Sequence, residues 1–123
     1  YNSQIDTNPE ALSEKIAKIS QQFNLAYVHV MRSDFFQAQK GDIVPIFRQH
    51  FKNVLIVNMG YTKDEGNDVI AKGLADAVAF GTAFLANPDL PARFEQGAEL
   101  NAPDQATFYS GGAQGYTDYP FLS

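Results

Sequence analysis

NVLIVNMGYT (Asn53–Thr62) and DAVAFGTAFLANPD (Asp76–Asp89) decide the fold of this chain. Each reads as a short apolar strand that runs through a glycine turn into a helix start. In the first, Val54–Val57 is the strand, Asn58-Met59-Gly60-Tyr61 the turn and Thr62 the helix cap. In the second, Ala77–Phe80 is the strand, Gly81-Thr82 the turn, and a short helix follows to about Ala86. Strands and helices alternating at this spacing make parallel βα units. Backbone N–H groups in turns at the carboxyl ends of such strands can face an anion, and the last two strands of an eight-stranded βα barrel commonly share one phosphate site.

The flanking sequence continues the alternation. Asn8-Pro9-Glu10 starts a helix: Asn8 caps, Pro9 suits the first position and Glu10 the positive end of the dipole. Leu12, Ile16, Ile19 and Phe23 recur at helical spacing, and Asn24 is the left-handed stop. Leu25–Met31 (LAYVHVM) is a strand, apolar on both faces as buried parallel strands are. Arg32–Asp42 reads as a polar loop with Phe35, Phe36 and Gly41. Ile43–Lys52 is a short helix with Ile43, Ile46, Phe47 and Phe51 inward and Pro45 in its first turn. Thr62 and Glu65 form a capping box for a helix to Lys72, which Gly73 ends. After Asn87-Pro88 a helix runs from about Leu90 to Gln96, and a Gly- and Pro-rich tail follows Gly97. The strands are expected at about 25–32, 53–58 and 76–81.

Composition narrows the class. At 123 residues the length prior gives one domain, residues 1–123, able to bury about two-thirds of its unfolded surface. A net charge of −5 without a basic cluster argues against nucleic acid and anionic membrane as partners. Local phosphate binding stays open, because backbone amides suffice for it. There is no cysteine, hence no thiolate nucleophile or zinc–sulfur centre, and a reducing, cytoplasmic setting is expected. No apolar run approaches the ~20 residues that span a bilayer. The first residues carry no signal-peptide pattern, and the start at Tyr1 reads as a processed or cut piece.

Little catalytic chemistry is visible. His29 lies in a strand and His50 on a helix, neither with a carboxylate at metal-ligand spacing, and structural roles are the default for both. Ser33-Asp34 follows the first strand at its carboxyl end, where a barrel places functional loops. No serine sits in a nucleophile elbow, and no metal site is expected. Met59 and Gly60 are candidate phosphate ligands through their amides; an ordinary well-capped βα turn explains them equally well. Gly81 and Thr82 carry the same pair of readings. Phe108 and Tyr109, before Ser110-Gly111-Gly112, could cover a planar ligand or simply pack the tail.

FGTAFLANPDLPARF (80–94), NMGYT (58–62) and above all FYSGGAQGYTDYP (108–120) resemble the C-terminal part of the old yellow enzyme family. The pattern is similar to its bacterial ene-reductases acting on N-ethylmaleimide, pentaerythritol tetranitrate and other activated alkenes or nitro compounds. The resemblance implies an α/β fold: about three βα units, strands six to eight, of a TIM (β/α)8 barrel. It implies FMN as cofactor, NAD(P)H as reductant, and hydride transfer from reduced flavin to an enone or nitro substrate. By the same resemblance Met59, Gly60, Gly81, Thr82 and Phe108 are cofactor-binding and Tyr109 is substrate-binding. Catalytic residues are implied to lie in the first five strands, outside this sequence, so the chain alone is expected to be inactive. Thr82 stands where the family usually has arginine, which exchanges a bidentate cation for a neutral hydrogen bond. Alternatively, the half-barrel is an assembly module that pairs its exposed sheet edges with a copy of itself or with a separate N-terminal fragment. A stand-alone flavodoxin-like domain would need more strands.

Overall fold

The computed structural model describes residues 6–32, 41–109 and 111–122. Ser33-Asp34, Phe35, Phe36 and Ser110 lie outside the described residues. The chain forms two compact units, residues 1–79 and 80–123.

The first unit is a parallel sheet covered on one face by helices. Its elements are α1 (Pro9–Gln22), β1 (Tyr27–Met31), α2 (Ile43–His50), β2 (Val54–Asn58), α3 (Lys63–Ala71) and β3 (Ala77–Val78). Strand order is β1-β2-β3. The register pairs Tyr27 with Val54, His29 with Ile56 and Met31 with Asn58, and Ile56 and Val57 with Ala77 and Val78. Strand β3 is two residues long, shorter than its apolar run. Among the described residues it has β2 as neighbour on one side only, so nothing extends its ladder.

Local chemistry starts and stops these helices, at Asn8 as expected and at Asp42 as a cap the sequence reading left in a loop. The Asn8 side chain accepts from Ala11 N–H at 3.1 Å, and Asp42 accepts from Val44 N–H at 3.3 Å. Gly73, at φ +65°, is the left-handed residue just past the C-cap of α3. Arg48 ties α2 to the strands: it donates to Asp76 Oδ2 at 2.8 Å and to the Asn53 carbonyl at 2.9 Å. Asp76 also accepts from Leu55 N–H at 2.8 Å, and chiefly that bond holds its carboxyl below the ordinary range.

The period-2 alternation of strands sorts the sheet into unlike faces. Val30, Leu55 and Val57 point into the core with Val44, Phe47, Phe51 and Val69. Tyr27, His29 and Val54 on the opposite face are exposed. Apolarity on both faces of the strands is thus real, and the face opposite the core is exposed toward its amino end and half-buried at Met31, Ile56 and Asn58.

Helix α1 forms as its spacing predicts, and the structure decides which of its faces is buried. Its buried positions are Ser13, Ala17 and Ser20. The apolar row faces outward instead: Leu12, Ile16 and Ile19 are 42–43% exposed and Phe23 72%. Small residues let α1 approach α2 closely, and Gln21 Oε1 accepts from Lys52 N–H at 2.7 Å at that junction. In α2, Val44 takes a buried place beside Phe47, while Ile43 and Ile46 are half-buried.

The second unit holds α4 (Thr82–Ala86), α5 (Leu90–Gln96) and a 3₁₀ turn, Gln105–Thr107, inside the Gly- and Pro-rich tail. A polar network closes it. Buried Arg93 donates to Asp89 Oδ1 at 2.8 Å, the Glu99 carbonyl at 2.7 Å and the Pro120 carbonyl at 2.9 Å. Asn87, fully buried, donates to the Ala83 carbonyl at 2.9 Å and accepts from Asn101 N–H at 2.7 Å. A guanidinium and an amide tolerate such burial because their polar atoms are bonded. Phe80 and Phe94 add an edge-to-face ring pair at 5.2 Å. No described helix is long and apolar enough to cross a membrane.

Candidate functional site

The site in the first unit is built at the carboxyl end of β2. Strand β2 ends at Asn58, and the chain then takes two consecutive left-handed residues, Met59 at φ +86° and Gly60 at φ +67°. Glycine accepts that backbone freely; at Met59 it is strained and must be held from outside.

Arg32, the residue after β1, supplies the hold. Its Nε donates to the Met59 carbonyl at 2.8 Å and its Nη2 to the Gly60 carbonyl at 2.7 Å. The guanidinium also bonds both Glu65 carboxylate oxygens, at 3.3 Å and 3.2 Å, and lies 4.0 Å from the centroid of the Tyr61 ring. Glu65 in turn accepts from Thr62 N–H at 2.9 Å, while Thr62 Oγ1 accepts from Glu65 N–H at 3.2 Å. The capping box of α3 and the guanidinium therefore share one carboxylate. The Thr62 N–H, then Arg32, keep Glu65 ionised below the ordinary carboxylate range, whereas burial raises the Tyr61 phenol.

This arrangement decides which way the turn's amides point. In a planar trans peptide the C=O and the following N–H are antiparallel, and no described peptide bond is cis. The Met59 and Gly60 carbonyls face Arg32, so the Gly60 and Tyr61 N–H groups face away from it. Neither amide has an acceptor among the described residues. At the same turn Asn58 Oδ1 is buried with no donor among the described residues.

A cavity of roughly 790 Å³ opens at the turn, lined by Arg32, Met59, Gly60 and Tyr61 together with Asp42, Glu65, Asp68 and Lys72. Three carboxylates, with Arg32 bonded and Lys72 paired to Asp68 at 2.6 Å, make it a poor place for an anion. An anion is better served by the unbonded amides, which face away from Arg32.

The remaining sequence-predicted residues lie in the second unit. Gly81 caps α4 at φ −92° and ψ −81° without a side-chain bond. A Cβ built there would meet nothing within 4 Å, so the space beside it is open. Thr82, next in chain, is exposed. Phe108 is half-buried at the end of the 3₁₀ turn. Tyr109 has φ +60° and a side chain in solvent, the residue being 92% exposed, while its N–H donates to Tyr116 Oη at 2.9 Å. The first unit thus gathers Met59 and Gly60, and the second holds Gly81, Thr82, Phe108 and Tyr109.

Sequence reading missed Arg32, which it placed in a polar loop. Its signal was position: a cation directly after a strand, beside the glycine turn of the next strand. Among the described residues no group of three His, Asp or Glu side chains could hold a metal ion.

Comparison with known proteins gives the site its context. Residues 2–101 match the model of the NADH:flavin oxidoreductase / NADH oxidase family. The chain is 43% identical over 122 residues to a probable flavin mononucleotide-dependent alkene reductase of Leishmania infantum, covering 99% of this chain and 33% of that protein. The old yellow enzyme of Trypanosoma cruzi superposes with a TM-score of 0.92 at 42% identity, covering 97% of this chain and 32% of that one. Morphinone reductase superposes at 0.86 with 42% identity, covering 95% and 32%. The chain spans about a third of the length of the relatives it matches.

Proposed function

The chain belongs to the NADH:flavin oxidoreductase / NADH oxidase family, and from that premise we propose that residues 1–123 are strands six to eight, with the C-terminal tail, of an FMN-dependent ene-reductase barrel. The observation that carries this reading is the Met59-Gly60 turn: left-handed, at the carboxyl end of a parallel strand, with the Gly60 and Tyr61 amides unbonded and turned outward. Two neighbouring unbonded amides suit a phosphate. Asn58 Oδ1 asks any ligand there to bring a donor, and the ribityl hydroxyls of FMN have that chemistry. These residues fit the phosphate and ribityl end of the cofactor. The chemistry FMN would supply when bound is hydride transfer from NAD(P)H to an activated alkene or nitro compound.

Within that reading Met59 and Gly60 shape the phosphate turn, and Gly81 and Thr82 offer a second amide and a hydroxyl. Phe108 sits beside the flavin ring system, and Tyr109 lines the substrate pocket. The left-handed backbone of Tyr109 is unusual for a bulky residue, and such backbone clusters at functional positions. With threonine at position 82, the phosphate grip is weaker than an arginine would give. No proton donor or substrate anchor is assigned to this chain, so alone it binds flavin weakly and does not turn over.

A second reading is favoured by the bare sheet face and by the outward apolar row of α1. Both suit a chain that completes its core on further βα units, whether joined to it, supplied separately, or brought by a second copy.

Titration of the chain with FMN and with riboflavin tests the phosphate assignment. FMN is expected to bind more tightly than riboflavin, with inorganic phosphate competing; equal binding overturns the assignment. NADPH-driven reduction of N-ethylmaleimide by the chain alone is expected to be absent, and turnover with bound yellow flavin would overturn its inactivity.

A further inference from the structure

We propose that Arg32 is a positioning residue that aims the Gly60 and Tyr61 amides at the anion. It sets their direction from behind the turn and does not itself touch the phosphate. The inference rests on the phosphate reading of that turn, but the hold itself can be measured without a ligand.

Three observations carry it. First, the donors of Arg32 are occupied. Nε serves the Met59 carbonyl, Nη2 the Gly60 carbonyl and Glu65 Oε2, and Nη1 Glu65 Oε1. A guanidinium has five N–H groups in a fixed fork, so at most one is left for another acceptor. Second, both captured carbonyls belong to the peptide units whose N–H groups are unbonded, Met59–Gly60 and Gly60–Tyr61. Planarity converts a hold on the oxygens into an aim for the amides. Third, the guanidinium is itself fixed, by Tyr61 on its face at 4.0 Å and by the Glu65 carboxylate on its edge. Without that fork, left-handed Met59 has no bond to keep its carbonyl turned toward β1, and the two amides lose their common direction.

Lysine would keep the charge but not the geometry. An ammonium can reach one carbonyl or the carboxylate, whereas the planar fork spans two carbonyls and a carboxylate at once. That difference separates aiming from attraction.

The experiment uses the full chain as wild type, Arg32→Lys and Arg32→Met, read by amide NMR without ligand and then during titration with inorganic phosphate and FMN. Both substitutions are expected to displace the Gly60 and Tyr61 amide resonances before any ligand is added, while the strand resonances of β2 stay in place. Both are expected to weaken binding about 10- to 100-fold, the loss of one or two hydrogen bonds to a charged group. Amides unmoved in Arg32→Met overturn the proposal, as does full recovery of phosphate binding in Arg32→Lys, which would make Arg32 a simple charge. If Arg32→Met does not fold, Arg32→Lys gives the same readout. Wild-type amides that ignore both phosphate and FMN would sink the phosphate reading, while the ligand-free shifts still report on the hold of Arg32.

Discussion

Single residues carry constraints here that composition hides. Gly115 is the sharpest case. At φ +75° it is in the left-handed region, and a Cβ there would stand 1.9 Å from Thr107 Oγ1 and 2.4 Å from Thr107 Cβ. Thr107 is buried and cannot swing away freely, since its hydroxyl donates to the Asp104 carbonyl at 2.8 Å. Gly115→Ala is therefore expected to destabilise the second unit by about 1–3 kcal/mol, the usual range for forced overpacking. Chemical denaturation monitored by tyrosine fluorescence checks this; Thr107→Ser should recover little, because Oγ1 and Cβ both remain. Nothing in the sequence around Gly115 distinguishes it from Gly111 or Gly112, beside which a Cβ would meet nothing within 4 Å. Its partner lies eight positions away, and only folding of the tail brings them together.

At the scale of elements, the caps are the most legible feature and α1 the least. Thr62 and Glu65 read as a capping box from spacing alone, and both reciprocal bonds are present. Thr62→Ala removes the hydroxyl that accepts from Glu65 N–H and is expected to cost about 1 kcal/mol. Glu65 adds a pH dependence whose sign is determined. Its folded-state pKa lies below the ordinary 4.5, so its contribution is present above that value and is lost as pH falls through the lower folded value. Acid unfolding of wild type should show that loss below about pH 4.5 and Glu65→Gln should lack it, as thermal melts across pH 2.5–6 would reveal. A capping box is local, so four residues specify it. Helix α1 shows the opposite: its periodicity identified the helix but not the face that is buried. Ser13, Ala17 and Ser20 are buried because the approach to α2 is close, and the apolar row stays exposed.

For the molecule as a whole, the uncovered surface is the dominant fact. One face of the sheet presents Tyr27 and Val54, and α1 presents Phe23, Ile16 and Ile19, all more than 40% exposed. Apolar area of this kind drives association. Light scattering of the purified chain at rising concentration is expected to show self-association that Ile16→Glu with Phe23→Glu relieves. A strict monomer for wild type at high concentration would remove the reason to treat these faces as interfaces.

The sequence by itself determined the βα order, the parallel class, the caps and the glycine turns, because each depends on residues within a few positions of one another. The tail motif from Phe108 to Pro120 and the two turns carried the family, since such a string of residues is specific without any knowledge of contacts. Only the tertiary structure decided which sheet face is covered, that the row on α1 faces outward, and that Arg32 reaches 27 positions along the chain to hold Met59. Those features depend on packing partners and on the direction of a peptide plane, and no local pattern encodes either one.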